Sequence, residues 1–199
     1  MTSEQLRAEK NKFRAKAKQF RAALTEEQSA ELEKKIAENV ISLRAFGWAK
    51  DVLLYYSFKG EPGTKILFDE CIKRGKNVYF PKSYDGGILK FFRVHSLSEM
   101  TSGKYGICEP EETADALEYD ENVPALCIVP SLCLDVRGYR IGYGKGYYDR
   151  FIKARPGYVF CGLQYSALVL DEVVFDKRHD KKLDIIVTEE GKYVLGQEE

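Results

Sequence analysis

Apolar residues recur at helical spacing in the N-terminal part of the chain, among many lysines and arginines. One stripe consists of Leu6, Phe13, Ala17, Phe20 and Leu24. Thr25 and Gln28 then form a capping-box sequence, and they are followed by a second stripe of Leu32, Ile36, Val40 and Leu43. This pattern predicts two amphipathic helices within residues 3–46, the second of them ended by Gly47.

Beyond Gly47, short apolar runs alternate with amphipathic segments. The amphipathic segments predict helices at 64–74 and 147–154, and the apolar runs predict strands at 51–56, 77–80, 88–94, 125–129, 158–163 and 184–188. Pro81 should end the second strand, and the acidic segment 109–121 should be a loop or a short helix. Such alternation predicts an α/β fold with a mostly parallel sheet flanked by helices, in which ligands bind beyond the carboxyl ends of the strands.

Composition narrows the class of protein without identifying a function. The 199 residues are enough for one domain with a sizeable core, and 31 basic residues balance 31 acidic ones. A formal net charge of zero gives no global field that would draw the chain to nucleic acid or to an anionic membrane. Five scattered cysteines, a charged N-terminus and the lack of a long apolar run favour a cytoplasmic protein with reduced thiols. We expect a single domain over residues 1–199 that acts as a monomer on small molecules.

The most informative segment is the glycine loop, which we define as residues 138–150. Its glycines at 142, 144 and 146 leave a bare backbone whose N–H groups can turn toward an anion. Arg140 and Lys145 add positive charge, Asp149 adds a carboxylate, and tyrosines occupy positions 143, 147 and 148. This combination predicts a site for a polyphosphate, a metal ion and a flat ring. The alternative is a tight surface turn with its tyrosines in the core, since neither the Walker motif nor the dinucleotide-binding glycine motif is present.

Four blocks of the chain, in order, carry a resemblance to one family. Residues 140–149 read Arg-Ile-Gly-Tyr-Gly-Lys-Gly-Tyr-Tyr-Asp, and Asp135 and Gly138 precede them. The other blocks are residues 10–14 with 24–27, residues 57–64 and residues 179–184. Together they resemble the 5-formyltetrahydrofolate cyclo-ligases, also called 5,10-methenyltetrahydrofolate synthetases, over nearly the whole chain. Within the loop, only Ile141 departs from the usual leucine.

The resemblance implies a fold and a reaction. The fold is a three-layer α/β/α arrangement, similar to the NagB/RpiA/CoA-transferase-like fold, with residues 1–46 as a helical pair packed on the core. The reaction is the ATP- and Mg²⁺-dependent cyclisation of 5-formyltetrahydrofolate to 5,10-methenyltetrahydrofolate, with release of ADP and phosphate. The formyl oxygen is phosphorylated, and N10 of the folate then attacks the activated carbon. Such chemistry needs positioning and charge neutralisation rather than a side-chain nucleophile.

The resemblance also implies which residues bind the nucleotide. Lys10 and Arg14 lie one helical turn apart, so both can contact phosphates. The rest of the expected ATP site is the loop itself, namely Arg140, Ile141, Gly142, Tyr143, Gly144, Lys145, Gly146, Tyr147 and Tyr148. Within this set, the residues expected to act in catalysis are Lys145, Arg140 and Tyr147.

The folate and the metal ion are assigned in the same way. The resemblance implies a folate site formed by Phe58, Glu61, Tyr143 and Tyr147. A carboxylate such as Glu61 can accept hydrogen bonds from the amino and ring N–H groups of a pterin. Asp149 and Asp180 are the expected Mg²⁺ ligands, since this ion usually takes one or two protein carboxylates together with phosphate oxygens. One departure is Gly63, where the family usually has an acidic residue.

Two other functions fit parts of the sequence. A sugar-phosphate isomerase or a CoA transferase would share the fold and would use Glu61 as a base or nucleophile, without ATP. A nucleic-acid-binding module would use the basic N-terminal helix and surface tyrosines, and the balanced net charge counts against it. Dependence on ATP, and a salt titration of nucleic-acid binding, separate these functions from the cyclo-ligase reaction.

Overall fold

A computed structural model of the chain describes residues 2–112 and 115–195. Its α-helices are α1 (Ser3–Ala23), α2 (Glu26–Ile41), α3 (Arg44–Trp48), α4 (Lys65–Lys73) and α5 (Tyr147–Lys153). No helix in these two ranges is both long and apolar enough to cross a membrane. Both predicted N-terminal helices are confirmed, but α2 ends before Gly47. The chain leaves the helix at Leu43, which has extended backbone angles, and Gly47 lies within the short α3.

Capping boxes fix where the two N-terminal helices begin. The side chain of Thr25 accepts the N–H of Gln28 at 3.1 Å, and the Gln28 side chain accepts the N–H of Thr25 at 3.0 Å. Thr2 and Gln5 form the same reciprocal pair at the start of α1. Each box satisfies N–H groups that have no partner within the helix, which confirms the start predicted for α2.

The strands form one large sheet and two small ones. In chain order they are β1 (Asp51–Leu53), β2 (Asn77–Tyr84), β3 (Ile88–Arg93), β4 (Met100–Ser102), β5 (Cys108–Pro110), β6 (Ala125–Val129), β7 (Cys133–Asp135), β8 (Arg140–Ile141), β9 (Val159–Leu163), β10 (Val169–Leu170), β11 (Ile185–Val187) and β12 (Lys192–Val194). The seven-stranded sheet has the order β12-β11-β9-β6-β1-β2-β3. Neighbours from β11 to β2 are parallel, and the edge strands β3 and β12 are antiparallel, so the predicted α/β fold is confirmed.

Pro81 does not end the second strand, contrary to the sequence prediction. Strand β2 continues past it and pairs with β3, where Pro81 is opposite Phe91. The pairing of β2 with β1 stops at Tyr79. Pro81 therefore lies where the strand has a neighbour on one side only, and proline is tolerated at such edge positions because its missing N–H leaves no ladder bond unmade.

The acidic segment 109–121 is irregular rather than helical in its described residues, which exclude 113 and 114. Its first residues belong to β5, and the N–H of Leu117 donates to the carbonyl oxygen of Phe91 at 2.8 Å. The segment thus runs beside β3 and shields part of that edge strand. The small sheets, β4-β5 and β10-β7-β8, were not predicted, because their strands are too short to show an alternating pattern.

The order of the strands creates a topological switch point between β1 and β6. From β1 the chain passes to β2 on one side, and it later returns to β6 on the other side of β1. In open parallel sheets, ligands bind in the crevice outside the carboxyl ends of such strands. Glu61 follows β1, and Ser131 follows β6. The topology alone therefore points to a site at these two segments.

Helices cover both faces of the large sheet. On one face, α1 to α4 pack against the strands through a cluster that includes Ala17, Ile36, Phe46, Leu67, Val52 and Ile128. On the other face, α5 packs through a cluster that includes Phe151, Ile152, Leu53, Cys127 and Phe160. Successive strand residues alternate between the two clusters, as the pleat of a sheet requires. Side chains of the N-terminal helical pair belong to the first cluster, so these helices pack on that face of the sheet.

A tight turn at Gly138, the first residue of the glycine loop, connects β7 to β8 in the small sheet β10-β7-β8. This glycine has a φ of 91°, a region that other residues rarely adopt. A Cβ at this position would lie 2.8 Å from the carbonyl oxygen of Leu183, so the turn also packs too closely for a side chain. Glycine is therefore required here by both conformation and space.

Asp135 organises the same turn from within the protein. Its carboxylate is fully buried and accepts the N–H groups of Arg137 at 3.0 Å, Tyr139 at 2.9 Å and Val173 at 3.2 Å. The guanidinium of Arg137 adds an ion pair at 2.6 Å. One buried carboxylate thus fixes the direction in which the chain enters β8 and the glycine loop.

We expect the substitution Asp135→Ala to lower the free energy of unfolding by at least about 3 kcal/mol, because it leaves buried N–H groups and a guanidinium without their acceptor. Urea unfolding followed by circular dichroism measures this loss. Glu172→Ala is the matched control, since Glu172 is exposed and pairs with the same Arg137 at 2.8 Å. It should cost less than about 1 kcal/mol. Equal effects of the two substitutions would contradict the role given to Asp135.

Candidate active site

Within the glycine loop, residues 142–146 join β8 to α5, and two of their glycines adopt conformations that other residues avoid. Gly144 and Gly146 have φ angles of 94° and 66°. A Cβ on Gly144 would lie 2.9 Å from Nη2 of Arg14, so the loop and α1 approach each other closely. In the described part of the chain, no backbone N–H of residues 142–146 donates a hydrogen bond to another residue. These groups are available to an anion.

Two arginines hold the loop through its carbonyl groups. Nε of Arg14 donates to the carbonyl oxygen of Gly142 at 2.9 Å, and Nη2 of Arg150 donates to that of Lys145 at 2.7 Å. Arg150 also donates from Nε to Gly87 at 2.9 Å, in the turn between β2 and β3. Sequence analysis gave Arg150 no role, because a single arginine at the start of a helix has no distinctive spacing. The arginines bind loop carbonyls and leave the loop N–H groups open.

Two ion pairs lie beside the loop, and each joins an expected phosphate ligand to an expected metal ligand. Nζ of Lys10 is 2.5 Å from Oδ2 of Asp180, and Nη2 of Arg140 is 3.0 Å from Oδ1 of Asp149. All four side chains are largely buried. Burial lowers the pKa of Arg14, while the nearby Asp180 carboxylate raises it. The structure therefore brings the predicted cations and carboxylates together in one place.

Asp149 and Asp180 could each offer one carboxylate oxygen to a metal ion. Oδ1 of Asp149 accepts the N–H of Lys181 at 3.1 Å, so Asp149 contacts the residue next to Asp180. Oδ2 of Asp180 accepts the N–H of Asp176 at 2.7 Å. The other oxygen of each carboxylate accepts no hydrogen bond from the described residues. Two neighbouring carboxylates with one open oxygen each fit Mg²⁺, which completes its shell with phosphate oxygens and water.

Glu61 lies at the carboxyl end of β1, in a turn that its own side chain closes. Lys59 and Gly60 have φ angles of 50° and 72°, so the chain reverses sharply between Phe58 and Glu61. Oε2 of Glu61 accepts the N–H of Phe58 at 3.1 Å. The residue is only 4% exposed, and Oε1 has no hydrogen-bond partner in the described structure. A buried carboxylate with one open acceptor is therefore presented at the switch point.

Burial raises the pKa of Glu61 from 4.5 to about 7, although Arg21, the N–H of Phe58 and the Tyr143 hydroxyl all lower it. The pKa of Tyr143 is also raised, by burial and then by the Glu61 charge, while Arg21 opposes that change. Tyr143 is thus close to both charges, yet it forms no well-directed hydrogen bond with Oε1. A misaligned contact satisfies a buried oxygen poorly, so Oε1 remains an open acceptor.

Arg21 is a member of this site that sequence analysis missed. It is 6% exposed, and its Nη2 donates to the carbonyl oxygen of Ser131 at 2.5 Å, just beyond β6. Its Nε and Nη1 atoms are buried without a partner in the described structure. The available signal was its position seven residues after Arg14, on the same face of α1. A helix so rich in lysine and arginine looks like a solvated face, which concealed it.

Tyr148 connects the two parts of the site. Burial raises its pKa strongly, and both Glu61 and Arg140 act on it, the carboxylate raising the pKa and the guanidinium lowering it. The Arg140 guanidinium lies 5.9 Å from the centre of the Tyr148 ring. The Tyr148 hydroxyl is buried and has no partner in the described residues. The ion pair of Arg140 with Asp149 and the buried carboxylate of Glu61 are therefore neighbours, and the Tyr148 ring lies close to both.

The side chains of three predicted site residues form no hydrogen bond with Glu61 or with the two ion pairs in the described part of the chain. The hydroxyl of Tyr147 donates to the carbonyl oxygen of Tyr84 at 3.1 Å, so this ring is tied to the β2–β3 hairpin and Tyr143 is the tyrosine beside Glu61. Lys145 is exposed, with Nζ 5.8 Å from the Tyr105 ring centre. The side chain of Ile141 is buried in the core, which leaves its backbone for any contact with a nucleotide.

Gly63, the departure from the usual family pattern, has a carboxylate beside it from another helix. A Cβ on Gly63 would lie 2.4 Å from Oε2 of Glu33 in α2. Oε1 of Glu33 accepts from the hydroxyl of Ser29 at 2.9 Å. The acidic group that residue 63 lacks is thus present in the same place, contributed by a residue distant in sequence.

Comparison with known proteins identifies the family. The chain matches the model of the 5-formyltetrahydrofolate cyclo-ligase family over residues 6–189. It is 33% identical to a probable 5-formyltetrahydrofolate cyclo-ligase of Schizosaccharomyces pombe, over 78% of this chain and 82% of that protein. It is 28% identical to the 5-formyltetrahydrofolate cyclo-ligase of Haemophilus influenzae, over 92% and 96% of the two chains.

A solved structure agrees with these sequence matches. The NMR structure of Aquifex aeolicus 5,10-methenyltetrahydrofolate synthetase superposes with a TM-score of 0.82 and 35% identity, covering 96% of this chain and 94% of that one. The resemblance drawn from the four sequence blocks is therefore confirmed, together with the α/β fold that it implied.

The raised pKa of Glu61 predicts how stability depends on pH. The Glu61 carboxyl group has a pKa of about 7 in the folded protein and about 4.5 in the unfolded chain. As the pH rises, it therefore loses its proton in the unfolded chain before it does so in the folded protein. The free energy of unfolding should therefore fall by about 3 kcal/mol between pH 4.5 and 7 on account of this group, and level off above.

Glu61→Gln should abolish this decrease in the free energy of unfolding. Urea unfolding of the variant and of the unsubstituted protein at pH 5, 6 and 8 measures the difference. Glu33→Gln serves as the control, since Glu33 is only partly buried and its Oε1 atom accepts a hydrogen bond from the Ser29 hydroxyl. Parallel pH profiles for Glu61→Gln and the unsubstituted protein would contradict the assignment.

Proposed function

This chain belongs to the 5-formyltetrahydrofolate cyclo-ligase family, and on that premise we propose that it converts 5-formyltetrahydrofolate to 5,10-methenyltetrahydrofolate with ATP and Mg²⁺. One observation carries the proposal. The open N–H groups of the glycine loop and two cation–carboxylate pairs lie next to a buried, half-satisfied carboxylate at the switch point. The first group suits a metal-bound triphosphate, and the second suits the ring of a folate.

The proposed reaction begins with a poor leaving group. The formyl oxygen on N5 cannot leave as water, so the γ-phosphoryl group of ATP is transferred to it and ADP departs. N10 then attacks the activated formyl carbon, the N10 proton is lost, and the C–O bond breaks with release of phosphate. The new C–N bond closes the five-membered ring. The protein has only to align the two substrates and to offset the developing charge.

In this proposal the phosphates are bound by Lys10, Arg14, Arg140 and Lys145 with the N–H groups of residues 142–146. Lys10 and Arg140 already contact carboxylates, so an incoming phosphate would take over cations that are held in position. Arg14 is fixed by the carbonyl oxygen of Gly142, which keeps its remaining N–H groups at the loop. Charge-assisted hydrogen bonds to phosphate are among the strongest that proteins make.

Asp149 and Asp180 would hold Mg²⁺, which when bound supplies positive charge that neutralises the triphosphate. Both side chains are fixed by backbone N–H groups, from Lys181 and Asp176, so their open oxygens are preorganised. His179, next to Asp180, has no part in the proposed metal site, since hard oxygen ligands suit this ion better than imidazole.

The folate would bind at Glu61, Phe58 and Tyr143. The open Oε1 atom of Glu61 can accept from the pterin amino and N3–H groups. Tyr143 is 42% exposed at the loop and can stack against the ring. Tyr147 remains a predicted contact of ATP and folate, although its hydroxyl is used at Tyr84. Glu61 as a nucleophile, as in a CoA transferase, is less well supported, because its Oε2 atom is held by the Phe58 N–H and the side chain is only 4% exposed.

We also propose that residues 1–199 act as one cyclo-ligase domain, as a cytoplasmic monomer that binds small molecules rather than nucleic acid or membrane. Balanced charge supports this, as do five free cysteines. Burial raises the pKa of Cys71 to about 12 and that of Cys133 to about 11, so these thiols are poor nucleophiles and suit a reducing compartment.

The deciding experiment measures the absorbance of the methenyl product. Purified protein with 5-formyltetrahydrofolate, Mg²⁺ and ATP should generate that band, and one ADP should appear for each product formed. Omitting ATP is the first control, and omitting Mg²⁺ is the second. Product without nucleotide, or ATP hydrolysis without product, would overturn the proposed function.

Lys145→Ala should raise the KM for ATP by about 10- to 100-fold, because it removes one charge-assisted contact to phosphate. The KM for the folate should change little. Steady-state kinetics with each substrate varied in turn measures both constants. Lys153→Ala, an exposed lysine on α5, is the matched control and should leave both constants unchanged. An unaltered KM for ATP in the Lys145 variant would remove that residue from the nucleotide site.

A further inference from the structure

Two opposite charges are buried close to each other at the switch point without forming an ion pair. Arg21 and Glu61 are 6% and 4% exposed. Each acts on the other electrostatically, since Arg21 lowers the pKa of Glu61. Yet Nε and Nη1 of Arg21 and Oε1 of Glu61 have no hydrogen-bond partner among the described residues. Buried donors and a buried acceptor that remain open on either side of a gap are costly unless something else pairs with them.

Both side chains are held in place by groups outside the gap. Nη2 of Arg21 is used at the Ser131 carbonyl oxygen, and Oε2 of Glu61 is used at the Phe58 N–H. A Cβ on Gly60 would lie 3.1 Å from Cβ of Arg21, so the arginine stem packs directly on the turn that carries Glu61. The two open faces are therefore fixed relative to each other, one rich in donors and the other an acceptor.

We propose that Arg21 is a substrate-binding residue that donates to the 4-oxo oxygen of the pteridine ring, while Glu61 accepts from the neighbouring N3–H and 2-amino groups. The inference rests on the proposed function and names what selects its substrate. The edge of a 2-amino-4-oxopyrimidine presents donors and an acceptor side by side, which matches Glu61 and Arg21 in order. A guanidinium is always charged, so it can donate here but never accept.

Tyr143 marks the place that this edge would occupy. Its hydroxyl is close enough to both charges for Glu61 to raise its pKa and for Arg21 to lower it. A phenol hydroxyl both donates and accepts hydrogen bonds, and in this respect it resembles the pyrimidine edge of the substrate. Because the ring lies in the loop between Gly142 and Gly144 and is 42% exposed, it can move aside and stack on the pteridine.

The test compares two ligands that differ at position 4, where the change from oxo to amino also turns N3 from a donor into an acceptor. Calorimetry measures the Kd of 5-formyltetrahydrofolate and of its 4-amino counterpart, with a non-hydrolysable ATP analogue and Mg²⁺ present. In the 4-amino ligand a donor faces Arg21 and a lone pair on N3 faces Glu61, so the unsubstituted protein should bind the 4-oxo ligand about 10- to 100-fold more tightly. Arg21→Met should weaken binding of the 4-oxo ligand by about 10-fold and lower the ratio of the two Kd values by the same factor, and the mismatch of N3 with Glu61 should account for any ratio that remains.

Controls separate a binding role from a structural one. Lys18→Met, at an exposed position on the same helix, should retain the full ratio. Arg21→Lys, which keeps a charged donor, should retain part of it, and thermal unfolding checks that each variant is folded. Equal binding of both ligands by the unsubstituted protein would overturn the proposal. So would equal weakening of both ligands by Arg21→Met, or a change confined to the KM for ATP. If the unsubstituted protein binds neither ligand, the proposed function itself fails.

Discussion

One row of basic side chains on α1 joins the parts of the candidate site. Lys10, Arg14 and Arg21 follow helical spacing along one face, with the fully buried Ala17 between them. They reach the carboxylate of Asp180, the carbonyl oxygen of a loop glycine and the backbone just beyond β6. The glycine loop and the strand ends come from different parts of the sheet, so this row sets their relative position. A shift of α1 would remove cations from the glycine loop and from the switch point together.

The site deals with its buried charges in two different ways. Around the loop, cations and carboxylates neutralise each other, as in the Lys10–Asp180 pair, and this limits the cost of removing them from water. In the proposed function a triphosphate with Mg²⁺ would bring the same two kinds of charge, so binding would exchange partners instead of creating new buried charge. At the switch point, Arg21 and Glu61 stay apart with open hydrogen-bonding atoms. There the unbound protein carries the cost of an unmet interaction, and a ligand with the right edge removes it.

The sequence predicted those features of the structure that depend on residues close to each other in the chain. The capping box at Thr25 and the alternation of strands and helices are local, and both are confirmed. Arg140 and Asp149 were predicted as site residues because both belong to the short motif at residues 140–149. Arg21 was missed, since its burial depends on a turn that follows β1, far along the chain. Pro81 was misjudged for a similar reason, because only the sheet order shows that β2 has one neighbour at that point.

The contrast between Tyr143 and Tyr147 shows the limit of a motif. Both are tyrosines of the same loop, but α5 begins at Tyr147, and the start of the helix turns that side chain toward the β2–β3 hairpin. Tyr143 precedes the helix, between two glycines, and reaches the charged gap. A polar gap of this kind also explains how a small ring can be selected. An apolar pocket tolerates a changed substituent, whereas fixed donors and acceptors reject a ring that leaves them unpaired, so in the proposed binding mode Arg21 and Glu61 would set the selectivity.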